Sequence, residues 1–404
     1  DDTLVLARNV TLTEAIDHTD GETGLPPITS TMTIDGQGFT IARDSDAPSF
    51  RLFLVLNDPA FQLAGNLTLM NVTVMGGNGM NTSFIMEGGA ILNRGGTVNL
   101  IESRLEGNLG SWWYNTAGIL NAGGIVTVSK SVFEANLGDV IRNCDGGTTT
   151  ITGTLFSKNV GGVVNCKEST VTIEESGFVD NLQHGYRSGG IENEGAMTIN
   201  NTVFYRNQAT ALNAYYGRLT INASLFADNT SNVIQNSGFL TVTNSTFSGN
   251  AGTAILNQIS PAGLPVEATI VHSTLYHNNQ DEAADQGGLV SDGGEVTIQN
   301  TIIAENAGGD CLRLNAYALV GGDANLDSDG SCPSSNRLEG FDPELADHGG
   351  PTKTHALLEG SNAIGAGHLP ACNPVDERGA PRTNVCDIGA FEFGSEPPEP
   401  TPAP

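Results

Sequence analysis

The residues of this chain best suited to moving protons gather in one stretch. Glu174, Glu175, Asp180, Glu192 and Glu194 surround His184 and Arg187. General acid–base chemistry needs titratable groups within reach of one reacting bond, and glycosidic cleavage needs two carboxylates at a set separation. Glu174, His184, Arg187 and Glu192 are therefore the catalytic candidates. A second group could recognise rather than react. Trp112, Trp113 and Tyr114 stand side by side in "LGSWWYNTAGIL" and hold both tryptophans of the chain. Tyr186, Arg187, Tyr205, Arg206, Tyr215, Tyr216 and Arg218 follow at repeat-like intervals in a chain poor in basic residues. Flat rings with polar tips stack on sugars or pack in protein interfaces. The structural alternative is that they fold back to seal an edge. A third group is acidic: Asp323, Asp327 and Asp329 in "DANLDSDGS" offer oxygens for Ca2+, the one cofactor the residues suggest. They lack the alternating order of a dedicated calcium loop, and a solvated turn competes with that reading.

These groups must be positioned by something regular, and the regularity is conspicuous. A strand motif recurs, as in "LTINASLFADN" and "LTVTNSTFSGN". Aligned on its threonine, the column reads Thr127, Thr150, Thr172, Thr198, Thr220, Thr241, Thr269 and Thr297, with Asn99 one repeat earlier. Its two neighbours are almost always apolar. That is period-two alternation, a short strand with Thr outward. Further on comes an apolar column that includes Phe133, Phe156, Phe178, Phe204, Phe226 and Phe247. Beyond it lies an invariant asparagine: Asn108, Asn136, Asn159, Asn181, Asn207, Asn229, Asn250, Asn278 and Asn306. An earlier asparagine column holds Asn93, Asn121, Asn143, Asn165, Asn193, Asn213, Asn236 and Asn257.

A repeat of this length, rich in Thr, Val and Gly and lacking a helical stripe, predicts an all-β, right-handed parallel β-helix with three short strands per coil. The phenylalanines should fill its bore. The asparagines should sit at turns in left-handed backbone and bond the neighbouring coil. Their repetition is then masonry, not catalysis. A second threonine column decays into Arg218, Phe239, Glu267 and Glu295, which argues against an ice-binding face.

Length varies between the late and early asparagines. Three long insertions fall there: the Trp112–Trp113 segment, "LQHGYRSGGI", and "NQDEAADQGG" with Asp281, Glu282 and Asp285. Binding residues often stand on such insertions. The organisation expected is an N-terminal cap and first coil over 1–60, coils over 61–320, last partial coils and an irregular disulfide-pinned cap over 321–391, and a Pro-rich tail or linker over 392–404. "LTEAIDHTD" reads as a short helical plug. Six cysteines allow fifteen pairings. Stacking places Cys144 and Cys166 on adjacent rungs, and short closures favour Cys311–Cys332 and Cys372–Cys386, with free buried thiols as the alternative. Three such bridges imply an oxidising, extracellular or cell-surface setting. The formal charge of −28 disfavours nucleic acid and anionic lipid as partners and would also tend to repel polyanionic sugars. No run is long and apolar enough to span a membrane. An extracellular polysaccharide or a partner protein remains.

The start "TLTEAI", the "GG-I-N" coils, "DPELADHGGPTKTHALLEGSNAIGAG" and the terminal "CDIGAFE" together resemble bacterial secreted β-helix proteins of the pectate-lyase-like superfamily, specifically the choice-of-anchor Q domain group, over residues 1–392. The resemblance implies export and attachment to the cell surface through a C-terminal device, and no agreed activity. Lyases of this fold use an Arg or Lys base, usually with acidic calcium ligands. The W-x-D-H element of pectate lyases and the ordered N-T-D, D-D, G-H-G and R-I-K elements of polygalacturonases are missing here. The expectation is a surface module for adhesion, glycan binding or envelope structure. The alternatives are a polysaccharide lyase or glycoside hydrolase with its site near 165–220, and a self-assembling structural protein.

Overall fold

The computed structural model describes residues 2–79, 88–110, 116–183, 189–208, 212–214, 217–260, 263–280, 286–316, 319–333 and 335–399. The chain forms two compact units, Asp1–Met197 and Thr198–Pro404. Each is an all-β parallel β-helix, whose strands fall in turn on three parallel sheets. In the first unit the first sheet carries Thr97–Ile101, Ile125–Ser129, Thr148–Thr152 and Thr170–Glu174; the second carries Arg104–Glu106, Val132–Glu134, Leu155–Ser157 and Gly177–Val179. The third carries Phe53–Asp58, Ile91–Arg94, Thr116–Ala122, Asp139–Cys144, Val163–Asn165 and Ile191–Asn193.

The register explains the repeated sentence. Thr127 pairs with Thr150 and Thr150 with Thr172, while Val126, Val128, Val171 and Ile173 point inward and are fully buried. Inside the second sheet the phenylalanines stack. Ring centroids lie 4.9 Å apart for Phe133–Phe156 and 4.5 Å for Phe156–Phe178. In the second unit they are 4.7 Å for Phe204–Phe226 and 4.6 Å for Phe226–Phe247. Rungs at strand spacing bring like rings into parallel contact.

The late asparagines are buried and act as couplings between rungs. Asn136 donates through Nδ2 to Asn159 Oδ1 at 2.9 Å, and Asn159 donates to Asn181 Oδ1 at 3.1 Å. They do not adopt the left-handed backbone expected of them. The residue before each one does: Gly107, Ala135, Lys158, Asp180, Arg206, Asp228, Gly249, His277 and Glu305 have φ between 53° and 65°. The reason is direction. The bend turns one residue outward so that the next can point in and reach its neighbour. Ala135 is exposed at such a bend. A residue with a Cβ loses about 1–2 kcal/mol there, more than the about 0.5–1 kcal/mol of extra chain entropy glycine costs. Ala135→Gly is therefore expected to raise stability by up to about 1 kcal/mol in urea denaturation, whereas a loss would mean the bend carries no strain.

The segment Leu12–Asp20 is not a helical plug. Asp17 accepts hydrogen bonds from Thr19 N at 3.3 Å and Thr19 Oγ1 at 2.7 Å, and Asp17 bridges antiparallel to Thr23. Ile16 is 56% exposed, so no apolar face is buried that could hold a helix turn in place. Asp2–Val5 lies before it as the outermost strand of the first sheet, paired on one side with Thr31–Asp35.

In the second unit Asn325–Asp327 and Ser335–Arg337 add the last rungs of the second sheet. The chain then runs back along that sheet's outer face. Phe341–Ala346 and Thr354–Leu357 form an antiparallel pair, and Tyr276 meets Phe341 at 5.0 Å between ring centroids. Farther back, Ala390 N donates to Thr274 Oγ1 and Asn244 Nδ2 donates to Val375 O, each at 3.1 Å. Leu357, Ala363, Ile388 and Phe391 form one apolar cluster with Ile302, Ala304 and Leu326. The motif-rich C-terminal segment thus wraps a flank of the solenoid. Three disulfides join the cysteines as their spacing suggests, with Cα–Cα distances of 4.8, 4.9 and 5.8 Å.

Candidate functional site

In the first unit two insertions leave the same corner, where the chain passes from second to third sheet. That corner is pinned by parallel bridges Leu109↔Leu137, Leu137↔Val160 and Val160↔Leu182. The first insertion leaves at Gly110, whose N–H donates to Leu137 O at 2.7 Å, and returns at the buried Thr116. The second returns at Gly190, whose carbonyl accepts from Val163 N at 2.9 Å. Rigid stems on a rigid frame are what a binding rim requires.

Next to the returns lies the outer face of the third sheet. Its outward column, in register, is Leu54, Leu92, Leu120, Arg142, Val164 and Glu192. The three leucines cluster and are buried. Arg142 is buried as well and donates through Nε and Nη2 to Asp139 Oδ2, at 2.8 and 2.5 Å. Asp139 is in register with Thr116, where the tryptophan-bearing segment re-enters the sheet. Arg142 and Asp139 were not singled out from sequence. The available signal was the residue before each early asparagine, an outward position by period-two alternation, where an arginine interrupts a run of apolar residues.

The described candidates fall on different sheets. Glu174 ends a strand of the first sheet, and Glu192 lies on the third, so these two carboxylates face from different sheets. His184 and Arg187 lie outside the described residues, as do Trp112, Trp113, Tyr114, Tyr186, Tyr215, Tyr216, Asp281, Glu282 and Asp285. Tyr205 is on the second sheet of the second unit, with the Arg206 guanidinium 4.6 Å from its ring centroid. Arg218 stacks on Phe239 at 4.5 Å on the first sheet.

The acidic residues also divide. Asp323 has its carboxylate 3.7 Å from His368 Nδ1. Asp327 and Asp329 meet Asp310 instead, their oxygens within 4.8 Å of one another. Asp310 ends the asparagine ladder. Its Oδ1 accepts from Asn306 N and Nδ2 at 3.1 and 3.0 Å, and its Oδ2 accepts from Ser328 N and Oγ at 2.7 and 2.6 Å. A run of asparagines that donate onward needs an acceptor at its end, and a carboxylate is one. Burial pushes the Asp310 carboxyl up. Burial also acts on Asp329, but hydrogen bonds from Ser331 and the Asp310 N–H hold it below the usual range. Asp327 accepts from Cys332 N at 2.9 Å. These bonds make the cluster a turn-builder at the end of the solenoid. A shallow pocket of about 350 Å³ opens beside it, lined by His277, Gln280, Glu305, Asn306, Ala307, Ser328 and Asp329.

Among the described residues, the most perturbed ionisable groups lie under the C-terminal wrap. Ser248 Oγ is 2.9 Å from His355 Nε2, and His355 Nδ1 is 3.2 Å from Asp342 O. That resembles a nucleophile–base pair, but Ser248 is 7% and His355 2% exposed, leaving no access for a substrate. Burial lowers the His355 pKa to about 4. Glu377 is wholly buried between the hydroxyls of Thr246 and Thr352, and burial holds its carboxyl well above the ordinary value. Asp376 and Arg378 pair at 2.7 Å, and Glu392 with Arg382 at 3.1 Å. These groups fasten the wrap. The chain matches no protein-family model, and comparison with curated proteins likewise gives no match.

Proposed function

We propose that the chain is an extracellular or cell-surface β-helix module for adhesion, glycan contact or envelope structure, and that it recognises its ligand at the insertion-bearing corner of the first unit. The observation that carries this reading is the bridge-pinned corner that holds the stems of both insertions, next to the third-sheet column ending in Arg142, Val164 and Glu192. The three disulfides fit an oxidising setting. The resemblance of the C-terminal motifs to choice-of-anchor Q proteins supports display at a surface. Aromatic side chains stack on sugar rings at low entropic cost.

The test is binding of the full chain to a glycan array and to a panel of acidic polysaccharides, with product detection. Trp112→Ala/Trp113→Ala is expected to weaken the best ligand at least tenfold, about 1.4 kcal/mol, without shifting the melting temperature. Undiminished binding by that variant would remove the corner from the proposal. Release of shortened or unsaturated products would favour the alternative, a lyase or hydrolase near residues 165–220.

A further inference from the structure

Under the C-terminal wrap, three metal-ligating side chains of the second unit converge. His272 projects from a bend of the solenoid; Cys372 and Cys386 belong to the wrap and are joined as a disulfide. His272 Nε2 and both sulfurs lie within 4.8 Å of one another, and Nε2 is 3.7 Å from Cys386 Sγ. We propose that reduction of Cys372–Cys386 converts this closure into a Cys2His zinc site, so that the wrap has two interchangeable fastenings.

The geometry favours it on three counts. Tetrahedral zinc, with bonds of about 2.0–2.1 Å to imidazole and about 2.3 Å to thiolate, sets its nitrogen and sulfur ligands about 3.6 Å apart. The nitrogen and one sulfur already stand at nearly that separation. The two sulfurs would need to open to about 3.8 Å, which side-chain rotation achieves between Cα atoms 5.8 Å apart. Second, Nε2 is the ring nitrogen that faces polar neighbours. Asn300 Oδ1 accepts from His368 N at 2.7 Å, which fixes the amide so that its Nδ2 points at Nε2 at 3.0 Å. Nε2 thus has a donor on one side and, in Ala371 O, an acceptor on another, and zinc would take the place of the Asn300 bond at its lone pair. Third, His272 is fully buried and its Nδ1 has no hydrogen-bond partner. Its closest polar contacts, to Asn300 Nδ2, Ala371 O and Cys386 Sγ, are made through Nε2, the side facing the sulfurs. Ala371 O, 3.0 Å from Nε2, is the nearest oxygen for the fourth position.

The chemistry balances with a phosphine or dithiol as reductant. Two electrons and two protons convert the S–S bond into two thiols: with a phosphine, water supplies the protons and the oxygen of the phosphine oxide that leaves, and a dithiol gives up its own two protons and leaves as its disulfide. Zinc binding then releases both thiol protons. The experiment uses the full chain, reduced with a phosphine until all six cysteines titrate as thiols, and then titrated with Zn2+ against a chromophoric chelator and with Co2+ by absorbance. One zinc per chain should bind at least tenfold tighter than to the oxidised protein, and cobalt should show thiolate charge transfer. Cys372→Ser and Cys372→Ser/Cys386→Ser should abolish that uptake, and His272→Ala should weaken it at least tenfold. Cys372 is half-buried, so its variants decide the matter even if His272→Ala does not fold. Absence of uptake by the reduced wild type, or uptake equal in the cysteine variants, would overturn the proposal.

Discussion

Asn159→Ala is expected to cost about 3–5 kcal/mol, among the largest losses any single substitution in this chain should cause. The wild-type side chain is fully buried and makes four bonds. Its Oδ1 accepts from Asn136 N at 3.0 Å and Asn136 Nδ2 at 2.9 Å; its Nδ2 donates to Phe133 O at 2.9 Å and to Asn181 Oδ1 at 3.1 Å. Alanine leaves two donors and a carbonyl dry and unpaired, at about 1–3 kcal/mol each, partly offset by relaxation. Asn159→Asp should be at least as harmful. It keeps the acceptors but sets oxygen against Phe133 O and Asn181 Oδ1, in a site where charge is costly. Thr150→Ala, on the outer face one rung element away, should stay within about 0.5 kcal/mol. Urea denaturation of the three variants decides it. If Asn159→Ala unfolds at the wild-type midpoint, the ladder is ornament and the solenoid is held by its apolar bore alone.

The same ladder shows why the fold was legible. Phe156 and Asn159 repeat at constant offsets because stacking forces like residues into contact, so one rung's solution serves for all. Period-two alternation gave the inward valines and the outward Thr150. Local detail was harder. The left-handed bends fall on Ala135, Lys158 and Asp180, which share no side-chain chemistry, because the constraint there is on backbone direction and not on residue type. The C-terminal wrap was hidden for another reason. Thr246, Ser248 and Thr274 are at positions that in a bare coil would face water, and their burial is decided by residues about a hundred positions away. The candidate site was legible only as an address. Variable lengths identified the corner, whereas the grouping of Arg142 with Asp139 required the register.

Acid should loosen the wrap before it disturbs the solenoid. His355 is held neutral, its Nδ1–H donating to Asp342 O and its Nε2 accepting from Ser248 Oγ. Asp342 and Glu344 face it and favour its charge, while His348 opposes it; burial outweighs them and lowers its pKa to about 4. Burial, reinforced by Arg382, lowers that of His272 to about 3. Both values lie below the 6.5 of an exposed imidazole. Between these limits the unfolded chain binds protons that the folded chain refuses. The stability these histidines contribute is therefore present above pH 6.5 and is lost as pH falls toward 4 and then 3, by about 1.4 kcal/mol per pH unit for each. Glu377 acts with the opposite sign. Its raised pKa gives stability that is full below 4.5 and declines as pH rises through the folded value. The raised Asp387 acts in the same direction. His355→Gln, which can still bond Ser248, should start less stable than the wild type near neutral pH yet lose less on acidification. The gap should narrow by about 2 kcal/mol between about pH 7 and pH 5. Glu377→Gln, lacking the opposing term, should fall more steeply than the wild type. Urea midpoints across that range, read with proteolysis near residue 350 to report the wrap itself, test both signs at once. Parallel curves for wild type and His355→Gln would show that the histidine is charged where it sits, and that the wrap is fastened by something other than neutral, dry contacts.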